Sequence, residues 1–249
     1  MAELIALITG ANKGIGFETA RMLGARGVTV LAGARDGARG AAAEAALREE
    51  GIDARFVPLD VRDPASAREA ADLIDADYGR LDILVNNAAI ATAGGPPSAT
   101  SLDGVREVFE TNVFGVISVT NAMLPLLRRA PSPRIVNVSS EIGSVAFMSD
   151  RSSPAWRMPP SLAYPASKSA LNMVTAMYAK ELAGTPVKVN AANPGYCATD
   201  LNGHTGSRTA AEGASVAVHL ATLPDDAPAG VLWGHRRPDD TTPYSDLPW

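Results

Sequence analysis

The sequence predicts a doubly wound α/β fold, with one mainly parallel sheet of seven strands and helices on both faces. Three observations carry that prediction. Short apolar runs alternate along the chain with longer amphipathic stretches. Most of those runs are apolar nearly throughout, as parallel strands covered on both faces must be. The stretches between them start and stop on residues with helix-capping chemistry.

The first run, "LIALITG", is followed at once by the glycine loop "TGANKGIG" and the helical stretch "FETARMLGARG". "VTVLAG" is the second strand; Asp36 then caps an Ala-rich helix that Gly51 ends. After "ARFVPLD", Asp63 and Pro64 supply an N-cap and a first helical residue for a helix reaching about Tyr78, stopped by Gly79. "LDILVNNAA", "RIVNVSS" and "VKVNAANPG" are the next strands, and "GVLWG" is the last. Before it, Thr209 and Glu212 have capping-box spacing in front of "GASVAVHLATL". Two Pro-, Ser- and Asp-rich stretches read as loop, residues 147–161 and the tail from His235. With no repeat and no linker, residues 1–249 are expected to form one domain, with 147–161 as an insert.

Composition narrows the function. Of 249 residues, 46% are hydrophobic and 20% charged, ordinary for a globular protein. A net charge of −5 with no basic cluster argues against a nucleic-acid surface. The single Cys197 cannot make an internal disulfide, and no apolar run is long enough for a signal segment or a bilayer span. A cytoplasmic protein without membrane or nucleic-acid partners is expected. His204 and His219 lack partners at metal-ligand spacing, so no metal is expected.

A strand turning sharply into a helix presents unpaired N–H groups and the positive end of the helix dipole, and glycines let a pyrophosphate approach the backbone. Gly10, Gly14 and Gly16 therefore point to a dinucleotide, although such glycines also serve ordinary turns. A carboxylate ending the second strand would hold a ribose 2′-hydroxyl and repel a 2′-phosphate. Gly33 stands at that position, with Arg35 two residues on and Lys13 in the loop opposite, which favours NADP(H) over NAD(H). Asp36 is close enough to turn toward the ribose, and both cations have a solvated surface role as the alternative.

"YPASK" puts Tyr164 and Lys168 one helical turn apart. A phenol titrates near ~10 and needs a neighbouring cation to exchange protons efficiently at neutral pH. The glycine loop, "NNAA" (86–89), "YPASK" and "NPG" (193–195), in that order, resemble the short-chain dehydrogenase/reductase family and its Rossmann-like fold, over nearly the whole chain. The resemblance implies that Tyr164 protonates a carbonyl oxygen as hydride arrives and that Lys168 grips the nicotinamide ribose. It also implies that Ser140 holds the substrate oxygen, with Ser139 as fallback, and that Asn112 kinks its helix and joins a proton relay. Cofactor contacts implied in the same way are Gly10, Asn12, Lys13, Gly14, Ile15, Gly16, Arg35, Asp60 with Val61 beside it, Asn87, Ala88, Tyr164, Lys168, Pro194, Gly195 and Thr199. Ala89 departs from the family, which more often has Gly there.

Ser140 and Tyr164 are 24 residues apart, more than in many relatives, and the surplus is the 147–161 insert. With "NKGIG", "GARD" and "NPGYCATDLNGHTG", it resembles the carbonyl reductase branch. The expected activity is therefore NADPH-dependent, reversible reduction of a ketone or aldehyde. A 3-oxoacyl-thioester reductase and a catalytically silent NADP-binding sensor are the alternatives. Phe147, Met148, Trp156 and Met158 are candidates for an apolar wall, residues 200–213 for a mobile lid, and Cys197 for an unreactive small side chain. The insert would stand over the helix pair that family tetramers bury, so a monomer or weak dimer is expected.

Overall fold

Each apolar run becomes a parallel strand in the computed structural model, which describes residues 4–92, 94–235 and 244–249. The strands are β1 (Ile5–Thr9), β2 (Thr29–Ala34), β3 (Ala54–Pro58), β4 (Ile83–Asn86), β5 (Arg134–Val138), β6 (Lys188–Asn193) and β7 (Leu232–His235). Their order across the sheet is β3-β2-β1-β4-β5-β6-β7, reversing direction of travel beside β1. An eighth strand, β8 (Tyr244–Leu247), pairs antiparallel with β7. The expectation of seven strands and a loop-like tail from His235 is corrected here. An antiparallel edge strand needs no helical cover, so its Pro- and Asp-containing sequence gave no apolar run. Residues 236–243 lie outside the described residues.

Why the strands read as solid apolar runs is visible in β1. Ile5 and Leu7 face one core cluster, Ala6 and Ile8 the other. One face is covered by α1 (Gly14–Gly24), α2 (Gly37–Glu49) and α8 (Ala210–Ala221) through Leu23, Leu47 and Val216. The other is covered by α3 (Pro64–Tyr78) and α5 (Gly115–Leu127), through Ile74 and Met123. Burying each such side chain stabilises the fold by about 1.5–3 kcal/mol.

The caps form as expected. Asp63 Oδ1 accepts from the Ala65 N–H at 2.8 Å, and Gly79 (φ 70°) ends α3 in the left-handed region. Asp36 Oδ1 accepts from the Arg39 N–H at 3.0 Å, so its carboxylate starts α2. Thr209 and Glu212 complete the capping box of α8. The insert is more ordered than the loop expected for it. Ser144 caps a short α6 (Val145–Ser149), and a 3-10 turn spans Pro154–Arg157. α4 (Leu102–Phe109) runs through a π turn at Glu110–Phe114 into α5, and α7 (Ala163–Glu181) carries the "YPASK" segment.

Candidate active site

The carboxyl ends of β1, β4, β5 and β6 meet at one edge of the sheet, where open α/β folds keep their ligands. Gly10 (φ 66°) and Gly14 (φ 56°) turn the chain from β1 into α1. A Cβ on Gly16 would lie 2.5 Å from the Gly10 carbonyl oxygen and closer still to Asn87 Nδ2, so only glycine fits. Lys13 occupies the N-cap of α1 without a side-chain cap, which leaves the first N–H groups of the helix for an anion. Asn12 and Ile15 belong to the same turn. Thr9 anchors the opposite wall: its hydroxyl accepts from the N–H groups of Asn87 at 2.9 Å and Ala88 at 3.0 Å. Asn87 Nδ2 returns a bond to the Thr9 carbonyl at 2.9 Å. This backbone cradle fits a dinucleotide pyrophosphate.

Beyond the cradle, Thr199 lies across Gly14, within 3.5 Å of where a Cβ would stand. Pro194 and Gly195 (φ 73°) begin that crossing loop. Arg35 is exposed just past β2. Partial burial opposes ionisation of Asp60, but the Arg62 N–H and guanidinium, with Arg35 further off, hold its carboxyl below the usual range. Val61 packs against Gly115, whose absent side chain makes the room. Lys13 extends to Asp200, Nζ to Oδ2 2.5 Å, instead of standing free.

At the reacting centre, Lys168 is almost completely buried and its Nζ donates to the Val138 carbonyl at 2.8 Å. The same nitrogen is 5.4 Å from the centre of the Tyr164 ring. Ser140 is half-buried at the end of β5, and its hydroxyl has no hydrogen bond within the protein among the described residues. Ser139, in contrast, turns inward and donates to Asn172 at 2.5 Å, so of the two serines only Ser140 has its hydroxyl unengaged among the described residues. Asn112 lies in the π turn. Its Oδ1 accepts from the Ile90 N–H at 2.9 Å, while Nδ2 donates to the Ile90 carbonyl at 2.9 Å and to Ser167 Oγ at 3.0 Å.

Burial disfavours charge on both members of the pair. It pushes the Tyr164 phenol up and the Lys168 ammonium down to about 7. Desolvation thus acts against the charged form of each group, while the ammonium stands 5.4 Å from the ring centre, within reach of the phenol's charge. Cys197 is buried, bonded to the Pro194 carbonyl at 3.3 Å, and burial pushes its thiol up to about 11.

A cleft of about 210 Å³ opens on Tyr164, walled by Ile142, Met148, Met158 and Pro165. Of the four residues expected to make one apolar wall, Met148 and Met158 do. Trp156 borders an adjacent groove beside Leu162 and Ala166, and Phe147 lines neither. Part of the expected lid is a short 3-10 turn, Asp200–Asn202, and Tyr196 and Thr205 bond across the loop.

The sequence pattern of the short chain dehydrogenase family matches residues 4–210. The chain belongs to that family. Its relatives include (+)-neomenthol dehydrogenase of Capsicum annuum, 34% identical over 92% of this chain and 94% of the relative. Carbonyl reductase (NADPH) 3 of Mus musculus is 36% identical over 90% and 92%. Among solved structures, salutaridine reductase from Papaver somniferum superimposes with a TM-score of 0.82 at 30% identity, covering 92% of this chain and 99% of that one. NADPH-bound carbonyl reductase from chicken fatty liver gives 0.81 at 29% identity, covering 93% and 96%.

For this family member, several site-building residues carried no sequence signal. Thr9, Ser167 and Asn172 are small polar side chains of a kind common in any fold. The Lys13–Asp200 pair joins residues 187 apart, so no local pattern could announce it. Among the described residues no cluster of three or more His, Cys, Asp or Glu could hold a metal, and no helix is long and apolar enough to cross a membrane.

Proposed function

We propose that this short chain dehydrogenase is an NADP(H)-dependent carbonyl reductase acting on a ketone or aldehyde with a hydrophobic portion. The observation that carries the reading is the apolar cleft opening onto Tyr164, with Lys168 buried directly behind it. NADPH supplies the hydride when bound. Tyr164 gives its hydroxyl proton to the carbonyl oxygen, and Ser140 donates a hydrogen bond to that oxygen as charge builds. Lys168, fixed at Val138, orients the nicotinamide ribose and offsets the rising charge on the phenol. Asn112 holds the loop after β4 against α7 beside Lys168, the place from which it serves a proton relay.

The cofactor is held by Gly10, Asn12, Lys13, Gly14, Ile15 and Gly16 at the pyrophosphate, and by Asn87, Ala88, Pro194, Gly195 and Thr199 around the cleft. Asp60 and Val61 flank the adenine. Arg35 recognises the 2′-phosphate, and Lys13 joins it on exchanging its ion pair with Asp200 for the phosphate. Asp36 does not compete for the ribose, because its carboxylate caps α2. The carbonyl reductases among the relatives support the same preference. The alcohol-oxidising direction uses the same groups in reverse.

The test follows NADPH absorbance against a panel of aldehydes, aryl ketones, diketones and quinones, with NADH as comparison. NADPH-dependent turnover with little use of NADH is expected. Tyr164→Phe should cut kcat by about 1000-fold and leave NADPH binding nearly intact. Equal use of NADH overturns the account of Arg35 and Lys13, and near-normal turnover by Tyr164→Phe overturns the role of the phenol.

A further inference from the structure

We propose that Asn172 is a positioning residue for the reaction: with Ser139 it sets the register between the strand that leads into Ser140 and the helix that carries Tyr164. The inference rests on the carbonyl-reduction reading above. Tyr164, Lys168 and Asn172 follow one another at intervals of four along α7 and share one face of it, which Thr175 continues. The end of β5 meets that face at three points. Asn137 Nδ2 donates to Thr175 Oγ1 at 2.9 Å, Ser139 Oγ donates to Asn172 Oδ1 at 2.5 Å, and Lys168 Nζ donates to the Val138 carbonyl at 2.8 Å. All of these groups are buried. Beyond these points, Ser140 is the next residue of the strand and Tyr164 lies one turn further up the helix.

Strand and helix could slide on apolar contacts alone, but directional bonds from three consecutive residues, Asn137, Val138 and Ser139, to three points on α7 oppose any slip. Ser139 is fixed on its other side too, since its N–H donates to the Ala192 carbonyl of β6 at 2.7 Å. Ser140 follows it in extended backbone (φ −162°, ψ 149°), so holding the Ser139 side chain inward sets the direction in which the Ser140 hydroxyl leaves the chain. Stability alone would favour different residues at 139 and 172. Asn172 Nδ2 is buried with no hydrogen-bond partner among the described residues, a cost that leucine at 172 together with alanine at 139 would avoid. The amide is explained by what it holds in place.

Asn172→Leu leaves the buried Ser139 hydroxyl without its acceptor, so it should fold with a modestly lowered melting temperature and bind NADPH within about twofold of wild type, while kcat on a ketone falls by about tenfold or more. The primary isotope effect with 4-deuterated NADPH should grow, because hydride and proton transfer have become slower. Ser139→Ala should lose kcat to the same degree, and the double variant should be no worse than either single one. Unchanged kcat in both single variants, a loss confined to KM, or fully additive losses would each overturn the proposal. If Asn172→Leu fails to fold, Ser139→Ala alone decides. A wild-type protein that reduces no carbonyl defeats the reaction assignment instead. The register is then read from the titration of 13C-labelled Tyr164, which shifts in Ser139→Ala if these bonds position the phenol and stays put if they do not.

Discussion

Lys168 is a charged residue kept where charge is disfavoured, and that gives it a pH signature of its own. Burial lowers its ammonium from 10.5 to about 7. Between those values the unfolded chain holds a proton that the folded chain has released, so unfolding becomes harder as pH rises across the window. Below about 7 both states are protonated and the burial penalty is present in full. Lys168→Met removes this titration. Measured by denaturant unfolding from about pH 6 to about pH 9, the stability of the variant relative to wild type should decline with rising pH, by at most roughly 1.4 kcal/mol per unit. A difference flat across that range would show that Lys168 keeps its proton, with the field of the protein outweighing desolvation. The residues proposed to do the chemistry were legible in the sequence because they fall in one ordered set of motifs. A Tyr and a Lys four apart occur by chance on many helices, and it is their order with the glycine loop, "NNAA", Asn112, Ser140 and "NPG" that singles them out. Asn172 and Ser167 were not legible, since a helical Asn or Ser has many ordinary uses and only the fold shows that one meets Ser139 and the other Asn112.

Elements were legible where burial imposed a pattern and illegible where it did not. All seven parallel strands were marked by apolar runs because both of their faces are covered. β8 at the edge, and α6 in the insert, answer to neighbours instead of to periodicity, and five residues are too few for a helical repeat to show. The π turn at Glu110–Phe114 has no sequence signature beyond Asn112 itself. The insert nevertheless borders the phenol, since Met148 of α6 and Met158 after the 3-10 turn wall the cleft on Tyr164. Met148 also borders the neighbouring groove, so it divides the two spaces. A thioether adapts to a ligand but still occupies volume. Met148→Ala should join cleft and groove and raise kcat/KM for a bulky aryl ketone relative to a small aldehyde by roughly tenfold. Steady-state comparison of two such substrates checks it, and an unchanged ratio would place the substrate elsewhere on Tyr164.

At the scale of the molecule, the same insert bears on whether copies of the chain associate. The outward stripe of α7 runs through Leu162, Ala166, Ser169, Met173 and Met177 at helical spacing. Val145, Met148 and Trp156 stand along its first half, bordering a groove with Leu162, Ala166 and Ser169. Met173 and Met177 are left uncovered, 60% and 49% exposed, as is Phe114 at 53% in the π turn before α5. A lasting interface buries about 800 Å² per partner with good complementarity. These three side chains, with Val145, Trp156 and Leu162 also exposed at the insert, fall short of that area. A monomer is therefore expected, with dimer appearing only at high concentration. Light scattering during size exclusion should give a mass near 25.8 kDa in dilute solution. Met173→Glu should remove any concentrated dimer without altering kcat. A stable tetramer would mean that the insert swings away from α7 in solution and that the whole stripe, not its exposed half, is the contact surface.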